Sequence, residues 1–342
     1  MDLQLIQSGR VAKVVARRLL RLAMILVTVS AVAFTLAKLS PIDPIDAYLG
    51  PAIARVGPEQ RALIASAWGL DQPAAVQFGR WAGRILSGDL GWSVTFNASV
   101  AEVLRERLAA TLALAGTAWI LSGLLGFALG VLAGAFEGSW MDRVIRLYAY
   151  VLASTPTFWL AIVLLVIFSV QLRWTPVCCA GPIGVVPGDV TLADRLRHLA
   201  LPLVTLSLLG VSQIALHTRA KMAEIMRSDF ALFAAAQGAS RLDVALRHGA
   251  RNAALPALTI LFASIGEILG GSVLAEQVFA YPGLGRATVE AGVRGDVPLL
   301  LAITLLATAI VSGGNTVADI LYGILDPRIA AKRKTAAIDL SR

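Results

Sequence analysis

The chain has 342 residues, of which 57% are hydrophobic and 15% charged, with a mean hydropathy of +0.74 and a net charge of +8. Soluble domains average about 25% charged residues, so an ordinary soluble protein is excluded. The basic excess follows membrane topology rather than a nucleic-acid footprint, as the order of elements makes plain.

Apolar residues gather in blocks of about twenty, the length that crosses a hydrocarbon core of roughly 30 Å. Six spans are predicted, at roughly 20–39, 109–135, 144–170, 200–222, 256–278 and 298–323. Residues 1–39 comprise an N-terminus and the first span. Arg10, Lys13, Arg17, Arg18 and Arg21 crowd its start, and Ala31-Val32-Ala33 imitates a signal-peptide cleavage site. It is read as an uncleaved span. Residues 40–108 then form an external insertion with six Arg against seven acids. Pro41, Pro44, Pro51, Pro58 and Pro73 punctuate it. Pro58-Glu59 predicts a short helix reaching Trp68 and ended by Gly69. Ala74–Leu86 predicts an amphipathic helix with Phe78, Trp81, Ile85 and Leu86 on one face, suited to the membrane surface or to packing on external loops.

Residues 109–323 hold the other five spans. Pro156 and Pro202 fall in the third and fourth, where neighbouring helices can satisfy the freed carbonyls. Pro156 lies between Ser154-Thr155 and Thr157-Phe158-Trp159. This hydroxyl-flanked break either shapes a pathway or is a kink whose carbonyls the hydroxyls satisfy. A short internal connection at 136–143 carries Glu137, Asp142 and Arg143. The outer loop at 171–199 contains both cysteines, Cys178 and Cys179. Adjacent cysteines are too close for relaxed disulfide geometry, and two thiols without a nearby His make a thin metal site, so neither role is expected.

Residues 219–256 are a polar interruption with six cations (Arg219, Lys221, Arg227, Arg241, Arg247, Arg251) and three acids (Glu224, Asp229, Asp243). With Arg143, Arg146 and the tail cations Arg328, Lys332, Arg333, Lys334 and Arg342, eighteen of thirty Lys/Arg fall on one side. The positive-inside rule therefore places both termini, the 324–342 tail and the 223–255 loop in the cytoplasm. Gly238 divides that loop. Met222–Gln237 has helix-forming composition, and Gly238 suits a left-handed helix stop. Ser240 to Asp243 resembles a capping box. Leu242, Ala245, Leu246, Gly249 and Ala253 then share one helical face, and Pro256 opens the fifth span.

Glu267 stands in the middle of the fifth span, and an acid at membrane depth faces a cavity or a partner. A pathway-lining contact, with Ser272 and Pro156 as companions, and an interhelical hydrogen bond both remain open; one acid makes a poor proton relay. No phosphate-binding loop is present. Ser312-Gly313-Gly314-Asn315, inside the sixth span, reads as close helix packing. His198, His217 and His248 lack ligand spacing. No catalytic or metal-ligating constellation emerges. A self-sufficient secondary transporter would need paired intramembrane charges or inverted repeats, and neither is visible.

In order and spacing the chain resembles the permease subunits of ABC importers of the dipeptide, oligopeptide and nickel type. Within the loop the resemblance rests on Arg219, Glu224, Asp229-Phe230, Ala234, Gly238, His248, Arg251-Asn252-Ala253 and Pro256. Elsewhere it rests on Ser40-Pro41 through Asp43-Pro44 to Gly50, Gly69-Leu70-Asp71-Gln72-Pro73, Gly88 through Ser93, Thr111-Leu112, Pro156 through Trp159, Glu276 and Tyr281 through Arg286. Asn315, Asp319, Tyr322 and Asp326-Pro327-Arg328 close the pattern. The resemblance implies an all-α, six-span type I permease of the bacterial inner (cytoplasmic) membrane, the first-type subunit with the long external insertion. It implies a non-catalytic chain that binds no cofactor, with ATP and Mg held by two partner ATPase subunits. It further implies a second homologous permease, an external solute-binding protein and surrounding lipid as partners. The loop would act as a coupling helix in an ATPase groove, through Asp229, Phe230, Leu232, Phe233, Ala234, Gly238, Arg241, His248 and Arg251. Members usually carry basic residues where this chain has Leu232, Ala235 and Gln237, so docking should rest on Phe230, Leu232 and Phe233. The implied solute is a di- or oligopeptide, with nickel or a metal chelate as the alternative.

Overall fold

A computed structural model describes residues 2–40, 43–49, 54–186 and 188–325. The 326–342 tail, with its cations and Asp326-Pro327-Arg328, lies outside these residues, as do Pro41 and Pro51. The helices are, in order, α1 (Asp2–Leu39), α2 (Pro44–Leu49), α3 (Pro58–Trp68), α4 (Ala74–Leu86), α5 (Val100–Thr111), α6 (Thr117–Ala135), α7 (Trp140–Ala153) and α8 (Thr157–Leu164). They continue as α9 (Leu192–Met226), α10 (Asp229–Ala236), α11 (Arg241–Asp243), α12 (Ala250–Ala263), α13 (Ile265–Val278), α14 (Leu284–Arg294) and α15 (Val297–Leu325). A two-stranded antiparallel hairpin, β1 (Trp92–Ser93) with β2 (Ala98–Ser99), pairs Trp92 with Ser99.

Among the described residues, four helices are long and apolar enough to cross a membrane: Arg17–Leu39, Val100–Ala135, Leu192–Met226 and Val297–Ile320. With each of two bent pairs counted as one span, the number of candidate spans is six. The second and fourth spans are longer than their apolar cores suggested, at 36 and 35 residues. The third span is not one kinked helix. Trp140–Ala153 and Thr157–Gln171 meet at 107°, with Pro156 extended at φ −63° and ψ 136°. Proline lacks the N–H that would carry the helix ladder across this point. The fifth span begins upstream of Pro256, which lies inside α12, and bends by 49° at Ser264.

The chain divides into two compact units. One comprises residues up to Ala109 together with Gly283–Ser312. Its core joins Val100 and Val103 of α5 to Leu284, Ala287 and Ala291 of α14 and Leu299, Ala302 and Ile303 of α15. Asp296, 1% exposed, caps α15 by accepting from the Leu299 N–H at 3.2 Å. It also accepts from Ser93 Oγ at 2.5 Å and the Thr95 N–H at 3.0 Å, which ties the hairpin to the start of α15. α3 ends at Gly69 as expected, with φ +69°. α4 turns its aromatic face toward α1: the Phe34 ring lies 5.4 Å from Phe78 and 6.3 Å from Trp81. Leu86, grouped with that face from its spacing, is 89% exposed.

The second unit comprises Ala110–Pro282 and the residues from Gly313 onward. Its axis is the pairing of α6 with α9. Gly126, Gly130 and Gly134 recur every fourth residue and so lie on one face of α6. A Cβ on Gly130 would stand 2.5 Å from Thr218 Cβ, and one on Gly134 would stand 2.5 Å from Met222 Cβ. The backbones meet where side chains are absent, the small-residue packing that membrane helices favour. Gly314 follows the same logic, since its Cβ would stand 2.6 Å from the Ile265 side chain. The expectation for the two cysteines is overturned, because Cys178 and Cys179 are joined in a disulfide. Cys179 takes φ +77°, which turns the adjacent side chains toward each other, and its N–H donates to the Phe279 carbonyl at 2.9 Å.

Candidate functional site

The polar loop between α9 and α12 is a built structure. The helix expected over Met222–Gln237 is broken: α9 stops at Met226, and Ser228 precedes a separate helix, α10. Gly238 then turns the chain at φ +91°, where a side chain is disfavoured. The Gly238 N–H donates to Ala235 O at 2.9 Å and the Ala239 N–H to Ala234 O at 3.1 Å, which satisfies the last carbonyls of α10. Ser240 caps α11 by accepting from the Asp243 N–H at 3.2 Å, and its hydroxyl donates to the Asp243 carboxylate at 2.6 Å.

Beyond α11 the expected face is altered by a π-helical turn, Val244–Gly249. Its wider i→i+5 bonding shifts the helix phase. Val244, Ala245, Gly249 and Ala253 are buried, while Leu242 and Leu246 are 43% and 55% exposed. Ala245 and Ala253 pack with Met222, Val131 and Ala135 in one buried cluster. The base of the loop is therefore fixed to the ends of α6 and α9.

The tip presents the opposite character. Phe230, Leu232 and Phe233 are 47%, 62% and 65% exposed. The Phe230 ring meets His248 edge-on at 5.1 Å. Asp229, Arg241 and Arg251 are exposed, Ala234 is half-buried, and Arg247 lies 3.7 Å from Asp243. The arrangement is a short helix with an apolar surface, ringed by cations and held on a rigid base.

A charged hub braces that base. Asp142, at the start of α7, is fully buried. It accepts from Arg219 Nε at 3.0 Å, Arg219 Nη2 at 2.9 Å and the Gly138 N–H at 2.9 Å, and Arg146 Nε lies 3.3 Å away. Two-pronged guanidinium contact fixes orientation as well as charge. Glu137 adds contacts to Arg219 at 3.3 Å and Arg227 at 3.5 Å. One α9 arginine thus holds the 136–143 connection against the stalk of the loop.

The span-five residues separate into two kinds. Glu267 is exposed and has no hydrogen-bond or ion-pair partner among the described residues. Gly271, one turn further along α13, lies beside Leu206 and Thr157, so Glu267 falls on a helix near the Pro156 break. Pro156 is itself exposed. Ser272 is 1% exposed and its hydroxyl donates back to Leu269 O at 2.9 Å, so it is spent on its own helix. The buried acid of α13 is Glu276, which accepts from Thr111 Oγ1 at 2.7 Å. Sequence reasoning passed over the roles of Asp142 and the α6 glycines. The four-residue glycine spacing was the available signal for the latter, whereas the Asp142–Arg219 pair spans 77 positions and left none.

Two family descriptions match the chain. "Binding-protein-dependent transport system inner membrane component" covers residues 126–331, and the N-terminal description of the same membrane component covers residues 11–115. Among curated relatives, an "Oligopeptide transport system permease protein AppB" of Bacillus subtilis (strain 168) is 33% identical over 93% of this chain and 99% of its own length. A "Di/tripeptide transport system permease protein DppB" of Pseudomonas aeruginosa (strain UCBPP-PA14) is 34% identical over 93% of this chain and 99% of its own. The glycine-turned loop, the six candidate spans and these matches over almost all of the chain make it a multi-pass membrane permease belonging to the binding-protein-dependent transport system inner membrane component family.

Proposed function

We propose that this chain forms half of the solute pathway of an ATP-driven peptide importer in the bacterial inner membrane. A second permease completes the pathway, an external binding protein delivers the peptide, and two ATPase subunits hydrolyse ATP beneath it. Both termini and the 223–255 loop lie on the ATPase side, in line with the cation distribution. The observation that carries this reading is the exposed Phe230–Leu232–Phe233 surface on a base buried around Met222. An apolar helix face in water is costly unless a partner covers it, and an ATPase groove is the partner that fits.

Coupling follows from rigidity. A displacement of α10 by a closing ATPase passes through the Gly238 turn and the Met222 cluster into α9 and α12. The glycine-packed α6–α9 pair resists bending, so the motion reaches α13 as a tilt rather than dissipating in the loop. On α13, Glu267 presents a carboxylate toward the pathway or the second permease, where the ammonium end of a peptide is a suitable passenger. The peptide assignment is supported by the names of the relatives. The test is purification of the chain with its partner subunits and measurement of ATPase activity in proteoliposomes. Peptide-loaded binding protein should stimulate hydrolysis, and stimulation by a nickel chelate but by no peptide would overturn the assignment.

A further inference from the structure

A cleft of about 750 Å³ opens between the end of α1, the α4 helix and the first turn of α15. Its lining includes Phe34, Trp81, Trp92 and Leu301 together with Lys38, Arg80 and Arg84. The size lies within the range of sites for small amphiphilic ligands. The two long helices bounding it are candidate spans, and they contribute their terminal residues: Phe34, Ala37 and Lys38 close α1, while Val297, Pro298 and Leu301 begin α15. That places the cleft at the depth of lipid headgroups. Its charge is unbalanced. Arg80 and Arg84 have no carboxylate partner among the described residues, and Lys38 has only the Phe34 ring, 6.0 Å away. The one lining acid, Asp296, is already committed to Ser93, Thr95 and Leu299. The buried Trp81 indole N–H also lacks an acceptor among the described residues.

We infer that this cleft holds an anionic phospholipid, its phosphate among Lys38, Arg80 and Arg84 and its glycerol and upper acyl carbons against the aromatic walls. Clustered cations at a span end attract anionic headgroups, and apolar walls distinguish a lipid from a free anion. The lipid would clamp α4 against α1.

The assembled importer, in nanodiscs of pure phosphatidylcholine or with added phosphatidylglycerol, would be followed by hydrogen exchange. Phosphatidylglycerol should slow exchange across Ala74–Leu86, and native mass spectrometry should find it retained in preference to phosphatidylcholine. Arg80→Gln with Arg84→Gln should weaken retention by about tenfold or more, as loss of two headgroup-facing charges demands. The Arg80→Lys, Arg84→Lys chain should keep most of it, which separates lost charge from misfolding. Equal protection by both lipids would overturn the inference. So would protection by inorganic phosphate alone, which would mark a free-anion site, or protection only when binding protein is added, which would mark a protein interface.

Discussion

Substitution of Gly130 by alanine adds one methyl group where α6 and α9 touch. That carbon would lie 2.5 Å from Thr218 Cβ and 2.8 Å from the Ala215 carbonyl oxygen. Non-bonded carbons rest at about 3.5–4.0 Å, so the helices must part by about 1.0–1.5 Å. Neither obstacle is a flexible side-chain end, since one is backbone and the other is a β-carbon. Separation on this scale forfeits a substantial part of the attraction across neighbouring contacts as well. Overpacking in a well-filled core costs about 1–3 kcal/mol, and a contact shared by two long helices belongs at the upper end. The assay is thermal unfolding of the purified importer, with Gly116→Ala as control, because no heavy atom lies within 4 Å of a Cβ there. Gly130→Ala should unfold several degrees lower than wild type, while Gly116→Ala should match it. Coupled ATPase activity should fall with it, since α9 carries Arg219 and Met222 at the base of the loop. Equal unfolding midpoints for the two variants would refute the close backbone approach.

Four further outcomes are expected. Gly238→Val forces a branched side chain to φ +91°, costing about 1–3 kcal/mol of local strain; it should insert normally yet lose solute-stimulated ATPase activity, and normal stimulation would sink the idea. Retention of the ATPases on the permease should fall little between low and high salt, because apolar contact through Leu232 and Phe233 is not screened; a steep loss would assign docking to Arg241, Arg247 and Arg251. Glu267→Gln keeps shape and removes charge, so transport should change while assembly and basal ATPase activity stay intact; a weakened complex would instead make it a subunit contact. The last concerns Asp43, whose carboxyl is held below its ordinary value of 3.8, first by the Ile45 N–H and then by Arg61. A folded value below the unfolded one stabilises at pH above the unfolded value, and the contribution is lost as pH falls through the folded value. Hydrogen exchange in Pro44–Leu49 and Pro58–Trp68, corrected for intrinsic rates, should therefore be steady from neutral pH to about 4 and rise below it; a rise already at pH 6 would exclude Asp43 as the cause.

What was legible in the sequence was local. Spans appear because hydrocarbon demands uninterrupted apolar runs, and Gly69, Gly238 and Ser240 announce their turns because each serves neighbours a few residues away. Phase and direction were not legible. The π turn at Val244–Gly249 rotates the face that a regular helix would bury, so Leu242 and Leu246 emerge where Val244 goes in. Pro156 announced a break, yet the 107° turn depends on what α8 packs against. Adjacency argues against a Cys178–Cys179 disulfide, and the left-handed backbone at Cys179, invisible in the sequence, accommodates it. Arg219 lies 77 positions from Asp142 and Thr111 lies 165 from Glu276, so these two pairings are beyond the reach of any local pattern.

The attachment of Ser93 to Asp296 has a consequence for how the chain is made. The two residues are 203 positions apart, and every core partner of Val100 and Val103 on α14 and α15 is equally late. At about 5–20 residues per second, the hairpin waits roughly 10–40 s for its acceptor to be synthesised. During that interval four spans are threaded while the first unit has an open core. Closure of that unit therefore reports that the last span has arrived. A polypeptide truncated before Gly283 would keep Val100, Val103 and the Ser93 hydroxyl without their α14 and α15 partners.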